Sequence, residues 1–147
     1  MDERIGNYHA MTTVVITPKV TKVVTIGKQG PAGSGTPSNV VIADTQMVSN
    51  NQYLVNKGAA VCLLTLPLPA NTTINDKLII DGNTLSMGGW QVAQNVGNII
   101  YAAGGAHTTS GVSGSLRSGF AGDSIELRAI STTSWQVANT EGNPSFN

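Results

Sequence analysis

The chain has 147 residues, enough for one ordinary domain and an appendage but not for two large domains. Only 11% of the residues are charged and the formal net charge is zero, so the basic footprint that nucleic-acid binding needs is missing. A single cysteine, Cys62, excludes an intrachain disulfide, and no apolar run is long enough to cross a bilayer, so neither nucleic acid nor membrane is expected as a partner.

Residues 1–11 show no periodicity and read as a peptide tail. Thr12 to Ile26, TTVVITPKVTKVVTI, is rich in β-branched residues, with Val20, Val24 and Ile26 alternating with polar positions around Lys22. Pro18 removes a ladder donor, so two short edge strands or one bent strand are expected. Such an arm is marginal alone in water and should order only against another chain. There Val14, Ile16, Val20, Val24 and Ile26 would fix the register of an anchoring contact.

Residues 27–35, GKQGPAGSG, place Gly27, Gly30 and Gly33 at every third position with Pro31 after the middle one. Only glycine fits at the crowded axis of a triple helix, so this collagen-type triplet suits a threefold neck. A flexible Gly/Pro/Ser linker is the other explanation of the same residues. The chain thus divides into an anchoring arm (1–26), a neck (27–38) and a projecting body (39–147). Residues 1–35 carry Arg4, Lys19, Lys22 and Lys28 against Asp2 and Glu3, and the rest carries six acids against four bases. A surface of neutral polar and small residues loses little desolvation energy when buried against another chain, which favours assembly.

After the neck, short apolar runs follow at intervals: NVVIA, QYLV, AAVCLLTLPL, DKLIIDG, WQVAQN, NIIYAA, DSIELRAI and WQVAN. Turn residues such as Asn50-Asn51, Asp81-Gly82-Asn83, Gly88-Gly89 and Gly142-Asn143 separate them. No stretch keeps a 3.6-residue apolar period, so an all-β body is expected, either a short-stranded β-sandwich or an interlaced trimeric β-body. Two runs echo one another, Trp90-Gln91-Val92-Ala93 and Trp135-Gln136-Val137-Ala138. The two-residue period puts Trp and Val on one face, making Trp90 and Trp135 core anchors, with a ligand-stacking platform as the alternative. Gly104 to Gly122 is the most glycine-dense stretch, read either as a long loop or as an extended run along a threefold axis.

Chemistry has little to work with. His9 lies in the tail, His107 in the glycine-dense stretch and Cys62 in an apolar strand, so no triad forms and neither enzymatic activity nor a cofactor is expected. His107 reads as an exposed or axial histidine, with three copies around an axis as the one route to a metal or anion site. Asp76, Asp81, Asp123 and Glu126 could in principle pair for glycoside hydrolysis, but a body of about a hundred residues is too small to hold an extended sugar, so hydrolysis is not expected. Asp123 fits a turn that accepts backbone N–H bonds, with Arg117 and Arg128 as candidate partners for it or for Glu126.

The run GWQVAQNVGNIIYAAGGAHTTSGVSGSLRSG, followed by GDSIELRAI and SWQVANTEGN, resembles the β-rich trimeric modules of tail fibres and other virion appendages of tailed bacteriophages. TKVVTIGKQGPAG is similar to the strand-then-Gly-Pro entry of phage fibre and head-appendage proteins. Together the two matches cover over half the chain. The resemblance implies a homotrimer on the virion, made in the host bacterial cytoplasm and anchored to capsid, adaptor or tail proteins by its arm. It implies a short fibre or a capsid decoration, since no further receptor-binding domain follows the Gly142-Asn143 turn. The alternative is a glycan- or receptor-binding module in which Tyr53, Tyr101 or a tryptophan stacks on host surface sugar.

Overall fold

The computed structural model describes residues 38–147. The arm residues Val14, Ile16, Val20, Val24 and Ile26 and the neck residues Gly27, Gly30, Pro31 and Gly33 lie outside the described residues. The strands are β1 (Ser38–Val41), β2 (Thr45–Gln46), β3 (Asn51–Val55), β4 (Cys62–Thr65), β5 (Lys77–Gly82), β6 (Trp90–Ala93), β7 (Ile99–Tyr101), β8 (Ser115–Arg117), β9 (Ser124–Ala129), β10 (Ser134–Glu141) and β11 (Ser145–Phe146). Two single 3-10 turns, Pro69–Asn71 and Ala103–Gly105, are the only helical residues among those described, so the body is all-β. Ser38, the end of the expected neck segment, already belongs to β1.

The strands form two sheets, one in the order β1-β3-β5-β9-β10-β7 and the other in the order β11-β8-β6-β4-β2. From β1 to β9 the chain changes sheet at every step. Strands β1, β3 and β5 are therefore parallel neighbours, with Val41 beside Val55 and Val55 beside Gly82. In the other sheet β2, β4 and β6 are parallel, with Thr45 beside Leu64 and Leu64 beside Val92. Parallel neighbours need a crossover, usually a helix. Here each crossover is a strand of the opposite sheet, so successive windings wrap one core. The winding ends where β8 and β9 run antiparallel beside β6 and β5.

The two-residue period explains which side chains enter the core. Cys62 and Leu64 point inward from β4, Leu78 and Ile80 from β5, Trp90 and Val92 from β6, and Ile125, Leu127 and Ala129 from β9. With Trp135 and Leu116 they form one cluster fed by both sheets. Each fully buried large apolar side chain contributes about 1.5–3 kcal/mol relative to exposure. Trp90 and Trp135 are both completely buried. Their motifs diverge beyond that: Val92 is buried, whereas a register shift between Val137 and Asn139 leaves Val137 only partly covered.

The glycine-dense stretch is neither a free loop nor one extended run. It turns back on Tyr101 through a bridge from His107, buries Thr108, and then supplies β8, whose Leu116 lies in the core. The buried Gln94 amide ties it down by donating to the carbonyls of Asn98 (2.7 Å), Thr109 (3.0 Å) and Gly111 (3.0 Å). The Thr108 hydroxyl donates to Gln94 Oε1 and accepts from the Ile100 amide at 3.0 Å. A Cβ on Gly114 would lie 1.8 Å from the Thr109 carbonyl oxygen, so this close approach of the chain to itself requires glycine.

Candidate assembly interface

A sheet edge presents unpaired backbone groups, and proteins ordinarily shorten or cover it. At β7 the far side is met by the Tyr101–His107 bridge and by the Thr108 amide, which donates to the Ile100 carbonyl at 2.9 Å. The edge strand β11 is only two residues long and is extended on its β8 side by Asn147, which exchanges bonds with Ser115 (2.9 and 3.1 Å) and accepts from the Thr109 amide (3.0 Å); its outer side has no partner strand among the described residues. The opposite edges are β1 in one sheet and β2 in the other, and neither has a second partner strand among the described residues. Only residues 42–44 join them, so the two open edges are adjacent.

This corner is apolar. Val40 is 62% exposed, Ile42 71% and Val48 64%. Between them runs a groove of about 430 Å³, whose other lining includes Asn39, Thr45, Gln46 and Tyr53. None of its lining residues carries a charge. The Tyr53 hydroxyl accepts from the Val48 amide (2.6 Å) and donates to the Val48 carbonyl (3.1 Å), and burial pushes the phenol above its ordinary pKa.

The frame around the groove is fixed by hydrogen bonds. Asn39 Nδ2 donates to Asn51 Oδ1 at 3.2 Å, and the Gln46 amide donates to the Leu66 carbonyl. Asp44 Oδ1 accepts from Lys57 Nζ (2.6 Å) and from the Leu63 amide (2.7 Å). These bonds, that of Lys57 foremost, hold the Asp44 carboxyl below its ordinary pKa. The nearest ionic groups are thus paired with each other, and the corner offers branched apolar side chains and open backbone edges. That chemistry suits strand addition or apolar packing by another chain.

The other residues singled out in the sequence are placed apart. Trp90, Trp135 and Tyr53 are core residues, so three of the four aromatics considered for sugar stacking do not reach the surface. Tyr101 is half-buried, with its ring centroid 5.9 Å from that of the exposed His107. Phe120, which the sequence did not mark out, is 73% exposed. Cys62 is fully buried beside the Ala43 carbonyl, and desolvation raises its thiol pKa.

The four carboxylates have separate partners. Asp76 accepts from Asn50 Nδ2 and the Thr73 amide, both at 2.8 Å, while Asp81 accepts from Gln52 Nε2 and Glu126 lies 3.6 Å from Lys77 Nζ. Asp123 is buried, and its Oδ2 accepts from the amides of Gly119 (2.7 Å), Phe120 (3.0 Å) and Asn143 (3.4 Å). Arg117 and Arg128 are exposed and form no ion pair among the described residues. Sequence patterning does not reveal β2, because two residues carry no period. Comparison with known proteins adds no family: no family model matches the chain, and no curated protein matches it.

Proposed function

We propose that this protein is a non-enzymatic structural component of a tailed-bacteriophage virion: a homotrimeric short fibre or decoration appendage held to capsid, adaptor or tail proteins by its N-terminal arm. The body is a β-sandwich whose two sheets share one core, the residues from Gly27 up to the start of β1 are a collagen-like neck, and assembly is its work. The observation that carries this reading is the pair of adjacent edges β1 and β2, which have no second partner strand among the described residues and are flanked by exposed Val40, Ile42 and Val48 on a charge-poor body. A solitary domain normally covers such a corner. The phage resemblance of the GWQVAQN and SWQVAN segments supplies the setting. Burial of Tyr53, Trp90 and Trp135 weighs against the glycan-binding alternative.

Light scattering on the full-length protein at several concentrations tests the assembly. A concentration-independent mass near three times 15.2 kDa is expected, and a monomer throughout would overturn it. Attachment to the particle is tested by deleting residues 1–35, which should abolish incorporation into virions while leaving the body folded.

A further inference from the structure

The β1–β2 corner is uncovered among the described residues, and we infer that its occupant is a second and third copy of this chain. Val40, Ile42 and Val48 of each copy meet their equivalents around the threefold axis. The inference rests on the homotrimer proposed above and assigns its subunit contact to a particular surface.

Chain length carries the first part of the argument. Four residues separate Gly33, the last glycine of the three-residue spacing, from Ser38, the first residue of β1. The five Cα-to-Cα steps from one to the other span at most about 18 Å even when fully extended. A neck on the axis therefore holds the start of β1 within about that distance of it, whatever path the connection takes.

Charge carries the second part. At a threefold axis a surface meets copies of itself, so any unpaired charge would face its own sign. The groove is lined by neutral residues alone, and the neighbouring Asp44 is neutralised by Lys57 at 2.6 Å. Surfaces of this kind can be brought together three at a time without electrostatic cost. The glycine-dense stretch, the other candidate for the axis, has already spent its close approach on its own chain: Gly114 is closed by the Thr109 carbonyl and Leu116 is in the core.

Two full-length variants that each add one cysteine test the assignment, Val40→Cys at the corner and Val112→Cys in the glycine-dense stretch. Both positions are exposed, at 62% and 70%, so neither change disturbs the core. The natural Cys62 is fully buried and does not compete for reagent. Each protein is first weighed by light scattering, then treated with a short bismaleimide and resolved on a denaturing gel.

The expected result is a trimeric mass with crosslinking at position 40 about tenfold or more faster than at position 112, because neighbouring thiols on an axis act at millimolar effective concentration. A trimer in which position 40 crosslinks no faster than position 112 overturns the inference and leaves the trimer standing. A monomeric or dimeric mass for the unsubstituted protein overturns the trimer itself, and the inference with it. Val40→Asp supplies a readout without crosslinking: a fall to monomeric mass with the circular dichroism spectrum retained supports the contact, and an intact trimer overturns it.

Discussion

Replacing Trp90 with Phe should cost much more stability than the same change at Trp135, although both side chains are fully buried and both begin a Trp-Gln-Val-Ala run. Losing the larger ring costs about 1–2 kcal/mol at either site in burial and cavity. At Trp90 the indole Nε1 donates to the Asp123 carbonyl at 2.7 Å, a bond worth about 1 kcal/mol. At Trp135 the indole Nε1 is buried with no hydrogen-bond partner among the described residues. Removing an unpartnered donor regains about 1–3 kcal/mol, which offsets the lost contacts. Trp90→Phe is therefore expected to lose about 2–3 kcal/mol and Trp135→Phe close to nothing. In a body of this size the gap corresponds to a difference in Tm of roughly 10 °C or more. Urea and thermal denaturation followed by circular dichroism, at one protein concentration because assembly shifts apparent stability, would measure it. Equal losses, or a larger loss at Trp135, would refute the assignment of the two indole N–H groups.

Asp123→Ala should destabilise by about 2–4 kcal/mol, since three backbone amides lose their acceptor; thermal melts are the check. Gly142→Ala should be comparably harmful in the same melts, because its φ of +102° is unfavourable for a side chain and its Cβ would lie 2.0 Å from Asp123 Oδ1. Gln94→Leu strips three carbonyls of a donor and should cost about 2–4 kcal/mol, with faster hydrogen exchange at residues 108–115 ahead of the rest of the body. For pH, burial raises the Asp76 pKa, but bonds from the Thr73 amide and the Asn50 side chain outweigh it, and the net shift is downward. Its contribution is therefore present above the ordinary carboxylate pKa of about 3.9 and lost as pH falls through the lower folded value. Urea midpoints should drop below about pH 4, and Asp76→Asn should flatten that drop.

The β1–β2 corner, uncovered among the described residues, is where the proposed virion setting and trimer become testable on this chain. Assembly through strand edges needs no catalytic group. The contact would consist of main-chain bonds and branched side chains, and neutral surroundings keep its desolvation cost low. That economy fits a body with few charged groups and with its buried carboxylate Asp123 committed to a turn.

The all-β character was legible because it is local: alternating apolar residues in DKLIIDG, GWQVAQ and DSIELRAI settle which side chains share a face before any partner strand is known. The same alternation pointed to Trp90 and Trp135 as core residues, and the buried indoles lie where it puts them. It could not show that the chain would change sheet at each of its first eight connections, since strand pairing joins residues far apart in sequence. The short strands β2, β8 and β11 lie outside the apolar runs and carry too short a pattern to read. The glycine-dense stretch reads as a loop or an axial run because its support comes from elsewhere, from the amide of Gln94 and the strand β6. Two nearly identical tryptophan motifs differ in whether the indole N–H is satisfied, for the acceptor of one is a carbonyl thirty-three residues away. Period and turn chemistry act between neighbours along the chain, whereas edges, acceptors and open grooves exist only after distant segments have been brought together.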